Sequence, residues 1–217
     1  MDSDLVLEIL QKVGAFRAGH FVFVSGLHAD TYINKNAMYP YISEISRLCR
    51  DIAQRFKGEG IEAIIGPETG GIILSQWVAC HLSEIDGREI YSVYADKDRS
   101  AGDSGEALGF VIKRGYDEII KGKKVLVVED LVTTGGSLKK VVEAARTARA
   151  EVVGAVAVCN RGRVTKEMIG NPPRFESMVT VDLEQWSEAE CDLCKRGIPI
   201  NTDIGHGKEF LARSKSS

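Results

Sequence analysis

Thirteen residues, VLVVEDLVTTGGS from Val125 to Ser137, restrict what this chain can fold into more than any other stretch. Val125 to Val128 form an unbroken apolar run, the pattern of a strand buried on both faces of a parallel sheet. The run ends in two adjacent carboxylates, Glu129 and Asp130, and then in a Thr/Gly loop, Thr133, Thr134, Gly135, Gly136 and Ser137. Leu138, Val141, Val142, Ala145 and Ala148 follow at helical spacing, so the loop is expected at a helix N-terminus. Backbone N–H groups and the positive end of a helix dipole converge there. The glycines permit close approach and the hydroxyls add donors, which makes the loop a phosphate cradle. Glu129 and Asp130 would repel a phosphate but accept hydrogen bonds from vicinal hydroxyls. The ligand that satisfies both halves carries a phosphate a few ångströms from a diol, as a ribose 5-phosphate does.

An anionic ligand has to be held by local groups, because the formal net charge of −3 supplies no global attraction for nucleic acid. The chain's 217 residues suffice for one domain with an appendage. There is no run of roughly 18 apolar residues to cross a bilayer. The start is acidic rather than basic, with Asp2, Asp4 and Glu8, and Leu5, Val6, Ile9, Leu10 and Val13 fit an amphipathic helix rather than a signal peptide. A cytoplasmic location is expected. Five cysteines, an odd number, argue against a disulfide framework.

After the first helix, Phe21 to Lys35 reads as two short strands about a turn at Ser25 and Gly26. Ser25, His28, Tyr32, Asn34 and Lys35 offer enough donors, acceptors and ring surface to read the edge of a planar base; a solvated hairpin with His28 exposed is the other reading. Ile45, Leu48, Cys49, Ile52, Ala53 and Phe56 define an amphipathic helix with Ser43 as its expected N-cap. Ile61 to Ile65 is a second buried strand, ending in GPETGG, Gly66 to Gly71, which leads into a helix over Ile72 to Leu82. On that helix Trp77 and Cys80 are expected in packing and His81 at the surface. Strand, glycine-rich turn and helix thus occur twice, and in an open parallel sheet such turns gather at the carboxyl edge, where ligands bind.

Ile90 to Tyr94 reads as a third strand. The polar, glycine-dotted segment Ala95 to Gly109 then reads as a functional lid, on which Lys97 and Arg99 would neutralise a departing polyphosphate, or as disorder or a solvated hairpin tip. Strands are expected at Leu108 to Ile112, Val152 to Val158 and Val179 to Leu183, the middle one ending at Cys159, Asn160 and Arg161. An arginine leaving a strand at the ligand edge can clamp a carboxylate bidentately, or it can be a surface residue.

The strand, Glu-Asp pair and Thr-Thr-Gly-Gly-Ser cradle resemble the phosphoribosyl-diphosphate (PRPP) motif of the type I phosphoribosyltransferases. From about Gly19 to Arg163 the chain is most similar to the orotate phosphoribosyltransferase branch. SGLHADTYINK resembles its base-covering hood, GPETGG its diphosphate loop, the Lys97 segment its catalytic loop, and Asn160-Arg161 its Asp-Arg pair, whose arginine meets the orotate carboxylate. Three positions depart from the pattern: Asp96-Lys97 stands for an Arg-Lys pair, and Gly70 and Val24 stand where lysines are common.

The resemblance implies an α/β fold with a central, mainly parallel sheet flanked by helices and a small N-terminal hood. Residues 1–40 would form the first helix and hood, 41–185 the core and 186–217 a tail. It implies catalytic roles for Lys97, Asp130, Glu129 and Arg99. PRPP would be bound by Glu129, Asp130, Thr133, Thr134, Gly135, Gly136, Ser137, Pro67, Glu68, Thr69, Gly70 and Lys97, and the base by Ser25, Tyr32, Asn34, Lys35 and Arg161. The implied reaction converts PRPP and orotate to orotidine 5'-phosphate and diphosphate, with Mg²⁺ carried on PRPP, in a homodimer that binds neither nucleic acid nor membrane. The alternatives are a phosphoribosyltransferase for a purine or modified pyrimidine, and a non-catalytic PRPP-sensing regulator. In the tail, Cys191 and Cys194 form a CxxC pair and His206 is a possible third ligand, but a second Cys pair is absent. The pair therefore reads as reduced and solvent-facing, and no residue is assigned to a resident metal.

Overall fold

A computed structural model of the chain describes residues 1–99 and 109–214. In chain order the elements are α1 (Ser3–Lys12), β1 (Phe16–Val22), β2 (His28–Ile33), α2 (Ile42–Arg55), β3 (Ala63–Pro67), α3 (Gly70–Asp86), β4 (Tyr91–Asp98), β5 (Gly109–Val111), α4 (Tyr116–Ile120), β6 (Lys124–Val132), α5 (Gly136–Thr147), β7 (Glu151–Asn160), β8 (Phe175–Thr180), α6 (Asp192–Lys195) and α7 (Gly207–Ser214). They fall into two units. One comprises Met1–Ile9 and Tyr39–Val181, the other Leu10–Met38 and Asp182–Ser217. The tail therefore groups with the hood segment instead of standing apart, and the first turns of α1 go with the core.

The larger unit is built on a six-stranded sheet of order β5-β4-β3-β6-β7-β8. All neighbours run parallel except β5, which pairs antiparallel with β4. Successive strand residues point to opposite faces. Ala63 and Ile65 of β3, Val125 and Val127 of β6, and Ala155 and Ala157 of β7 join Leu138, Val141, Val142 and Ala145 of α5 in one apolar cluster. Ile64, Leu126, Val128, Val156 and Val158 occupy the alternate positions and are also buried. Helix α3 lies against β3, β4 and β6, with α2 packed on α3, so the second face is covered too. This double burial explains the unbroken apolar runs in the sequence, each Val, Leu or Ile side chain contributing about 1.5–3 kcal/mol by leaving water.

The order of the strands also positions the site. Strand β3 leads through α3 to β4 on one side, while β6 leads through α5 to β7 on the other. The carboxyl ends of the adjacent β3 and β6 therefore open at a topological switch point, where α/β sheets bind ligands. Glu129 and Asp130 lie near the end of one of these strands and the GPETGG turn at the end of the other.

Several local expectations change. Helix α2 begins at Ile42 with Tyr41 at the N-cap, because the amides of Glu44 and Ile45 both reach the Tyr41 carbonyl; Ser43 lies inside the first turn. On α3, His81 is buried rather than at the surface, bonded to the Ser46 hydroxyl at 2.9 Å and stacked on Trp77, whereas Cys80 is exposed. Strand β4 continues to Asp98 because Asp96, Lys97 and Asp98 pair with Val111, Phe110 and Gly109. The last strand is Phe175–Thr180 rather than Val179 to Leu183, since its register with β7 starts at Phe175 opposite Ala155. The expected lid falls mostly on residues 100–108, as does Leu108; these lie outside the described residues. No helix among the described residues is long and apolar enough to cross a membrane.

In the smaller unit, β1 and β2 form an antiparallel hairpin with a bulge between Ala18 and Phe21 and a turn through Gly26 at φ +79°. Within it Ser25 is exposed at the turn, Tyr32 packs against Phe21 and Phe23, the Asn34 amide donates to the Ala15 carbonyl, and Lys35 opens a short 3-10 turn. His28 is fully buried, contrary to a solvated hairpin. Of the CxxC pair, expected to face solvent, Cys191 is buried and Cys194 half-buried, while His206 is exposed. No disulfide joins any of the five cysteines.

Candidate active site

The cradle forms as its sequence requires. Helix α5 starts at Gly136 behind Gly135, whose φ of +77° lies in the left-handed region that glycine tolerates. Glu129, Thr133, Thr134, Gly135, Gly136 and Ser137 line one cavity of about 150 Å³, together with Leu131, Val132 and Leu138. The Gly136 amide donates to the Thr134 hydroxyl at 3.4 Å. A second loop braces this one from behind: the Arg161 amide donates to the Val132 carbonyl at 2.9 Å, and a Cβ on Gly162 would fall into the Thr133 carbonyl. A Cβ on Gly135 would come within 2.9 Å of Val164 and 2.8 Å of Ile169. That bracing loop is closed by Asn160, whose side chain donates to the Val164 carbonyl and accepts from the Val164 amide, both at 2.9 Å. Asn160 is thus a structural clasp, and Arg161 leaves β7 beside the cradle.

Both carboxylates at the end of β6 are buried, Glu129 at 5% exposure and Asp130 at 1%. The Asp130 amide donates to Glu129 Oε1 at 3.0 Å, which fixes that carboxylate at the cradle rim. Asp130 accepts a hydrogen bond from the Tyr39 hydroxyl. Burial, and then the Asp130 charge, push the Tyr39 phenol far above its ordinary pKa, so it remains a donor. Sequence reasoning missed Tyr39, which reads there as part of a chain break; no local pattern links it to a strand 91 residues away.

The GPETGG turn reaches the same carboxylate. Gly70 and Gly71 are the first residues of α3, and a Cβ on Gly70 would overlap both Asp130 Oδ2 and the Tyr39 hydroxyl. Gly66 and Gly71 pack backbone to backbone, and the Glu68–Thr69 peptide is cis. Glu68 ties this turn to β4: its amide donates to the Ala95 carbonyl at 3.0 Å, its Oε2 accepts from the Lys97 amide at 3.0 Å, and its Oε1 accepts from Arg99 at 2.6 Å. Desolvation pushes the Glu68 carboxyl up, but the Lys97 amide and the Arg99 guanidinium outweigh it and hold the group below the usual carboxylate range. Lys97 is therefore the exposed end of a paired strand, held by its backbone beside the turn. Asp96 bonds Arg114 at 3.2 Å, so an acidic residue at this position has its own cationic partner.

The structure thus brings together Pro67, Glu68, Thr69, Gly70, Lys97, Arg99, Glu129, Asp130, the cradle residues and Arg161 on one unit. Ser25, Tyr32, Asn34 and Lys35 belong to the hairpin of the other. Residues 36–189 match the model of the phosphoribosyl transferase domain. The chain is 39% identical over 204 residues to the orotate phosphoribosyltransferase of Caldanaerobacter subterraneus subsp. tengcongensis, covering 92% of this chain and 96% of that one. It is 34% identical over 205 residues to the Thermotoga maritima orotate phosphoribosyltransferase, covering 94% and 99%. The crystal structure of the Aeropyrum pernix orotate phosphoribosyltransferase superposes with a TM-score of 0.62 at 26% identity, covering 81% of this chain and 93% of that one. The chain is a member of the phosphoribosyltransferase family, similar over nearly its whole length to the two orotate phosphoribosyltransferases compared above.

Proposed function

We propose that this chain transfers the phosphoribosyl group of PRPP to orotate, giving orotidine 5'-phosphate and diphosphate, a step of pyrimidine nucleotide biosynthesis. The observation that carries this reading is the cradle cavity with Glu129 on its rim and Asp130 buried where the two switch-point loops meet. The 5-phosphate would sit in the cradle on the amides and hydroxyls of Thr133 to Ser137. Glu129 and Asp130 would accept hydrogen bonds from the ribose hydroxyls and place negative charge near C1 as it takes on oxocarbenium character. Pro67 to Gly70 would hold the diphosphate, with Lys97 stabilising it as it leaves and Arg99 assisting. Arg161 would clamp the orotate carboxylate bidentately. By family resemblance, Ser25, Tyr32, Asn34 and Lys35 are the proposed base contacts.

A divalent cation carried on PRPP fits this donor set. Glu129 and Asp130 are hard oxygen ligands beside a phosphate cradle, and Mg²⁺ is held by one or two carboxylates together with substrate phosphates. When bound, Mg²⁺ would neutralise charge on the leaving diphosphate. The same proposal places the protein in the cytoplasm, and makes it a homodimer, a state that sedimentation of the purified chain would test. The deciding experiment incubates the protein with PRPP, Mg²⁺ and each of orotate, uracil, adenine, guanine, hypoxanthine and xanthine, and measures diphosphate release. Release with orotate alone is expected; release with a purine and none with orotate would overturn the assignment.

A further inference from the structure

The smaller unit brings four soft donor atoms to one point. His20 on β1, His28 opening β2, and Cys191 and Cys194 around α6 each direct one ligand atom inward, and all four atoms lie within 4.8 Å of one another. Cys194 Sγ is 3.4 Å from His28 Nδ1 and 3.7 Å from His20 Nε2, and Cys191 Sγ is 3.6 Å from His20 Nε2. A tetrahedron around zinc, with Zn–N near 2.0 Å and Zn–S near 2.3 Å, has edges of about 3.3–3.8 Å. Three of its six edges fall in that range. The ring-to-ring edge, 2.8 Å between His20 Nε2 and His28 Nδ1, has to open by about half an ångström. The two further edges, from Cys191 Sγ to Cys194 Sγ and to the His28 ring nitrogen, are no longer than 4.8 Å.

The orientation of the rings carries the argument further. His20 Nδ1 lies 2.7 Å from the Ile198 carbonyl oxygen, so that nitrogen is the N–H donor and Nε2 turns its lone pair toward the cluster. This is the support that metal-binding histidines receive from outside the ligand shell. Both histidines are also clasped by their backbones: His28 exchanges amide–carbonyl bonds with Trp186 at 2.8 and 3.0 Å, and the Asn201 amide donates to the His20 carbonyl at 2.7 Å.

The composition of the segment supplies an independent reason for a metal. From Asp182 onward, the buried described residues are Cys191 and Gly207. Such a segment brings no fully buried large apolar side chain to a core, its Leu183, Trp186, Leu193, Ile200, Ile204 and Phe210 being only half-buried, and small units of this kind are held by disulfides or structural metals. No disulfide is present. We propose that His20, His28, Cys191 and Cys194 bind one structural Zn²⁺ that fastens the C-terminal segment to the β1–β2 hairpin. Two cysteines and two histidines in tetrahedral reach select zinc over hard cations. On binding, both thiols release their protons to solvent. Two thiolates and two neutral imidazoles then balance the ion, leaving no net charge to bury.

The test uses the full chain and does not depend on the transferase reading. Metal analysis of protein purified without chelator is expected to give about one zinc per chain. After chelation and reduction, alkylation of Cys191 and Cys194 is followed by mass spectrometry with and without added Zn²⁺, with exposed Cys80 as internal control. Zinc is expected to slow the first two on the order of tenfold or more and leave Cys80 unchanged. Added Co²⁺ should give the absorption of a tetrahedral thiolate site, which His20→Ala abolishes and His206→Ala does not. Protein that takes up no stoichiometric zinc and shows no thiol protection overturns the site. So does a Co²⁺ spectrum lost in His206→Ala and retained in His20→Ala.

Discussion

The two glycine-rich loops at the carboxyl ends of β3 and β6 look alike in sequence and use glycine for different reasons. In the cradle, Gly135 is needed first for its backbone conformation, a left-handed residue just ahead of a helix. In the GPETGG turn, Gly66, Gly70 and Gly71 all have negative φ, and what forbids a side chain is what lies next to them. Gly66 and Gly71 leave no room between their own backbones, and Gly70 leaves room for Tyr39 and Asp130 to meet. One loop is therefore shaped by torsion, the other by close approach. The second kind leaves no place for a side chain at position 70, which would displace the Tyr39–Asp130 hydrogen bond.

Substitutions that add a single methyl group separate these cases. The largest stability loss is expected for Gly66→Ala, whose Cβ meets backbone that has nowhere to move; more than about 3 kcal/mol by urea unfolding is expected. A loss below about 1 kcal/mol would mean that the turn is not held by close packing. Gly135→Ala should cost about 1–3 kcal/mol, because the strained φ is joined by close contacts with single methyl groups of buried Val164 and Ile169 rather than with backbone. Gly136→Ala should leave stability within about 0.5 kcal/mol, since its Cβ meets only the Thr134 hydroxyl at 3.5 Å, while the KM for PRPP rises because the phosphate loses its close approach. An unchanged KM would remove Gly136 from the cradle.

Activity sharpens the same contrast. Lys97→Ala is expected to lower turnover on the order of 10²-fold to 10³-fold with little effect on PRPP binding, since it removes the charge proposed to stabilise diphosphate as it departs. Unaltered steady-state turnover would end that role. Tyr39→Phe should be milder, costing about 1–3 kcal/mol of unfolding free energy or the equivalent in PRPP affinity, because Asp130 loses a donor while still buried.

The cradle was legible because its causes are local: an apolar run, two acids, a Thr/Gly turn and a helical period lie within about two dozen residues. What the sequence hid depends on neighbours distant along the chain. Tyr39 and Gly162 have ordinary surroundings in sequence, and only the packing of β6 against the loop after β7 gives Gly162 its meaning. His20 and His28 sit more than 160 residues from the CxxC pair they meet, so the spacing rule for zinc ligands pointed instead to the nearer His206. Polar residues near Lys97 suggested a loop, yet their pairing with β5 makes a strand, an outcome decided across the sheet rather than by composition.

The bracing of the cradle by the loop after β7 has a further consequence. Arg161 donates its amide to the strand that carries the cradle, and the next residue, Gly162, touches the cradle's own backbone. The group proposed to read the acceptor and the groups proposed to grip the donor are thus graduations on one ruler. Their spacing is fixed when the sheet folds, so an acceptor whose carboxylate stands at a different distance from its attacking nitrogen would be rejected by measurement rather than by charge.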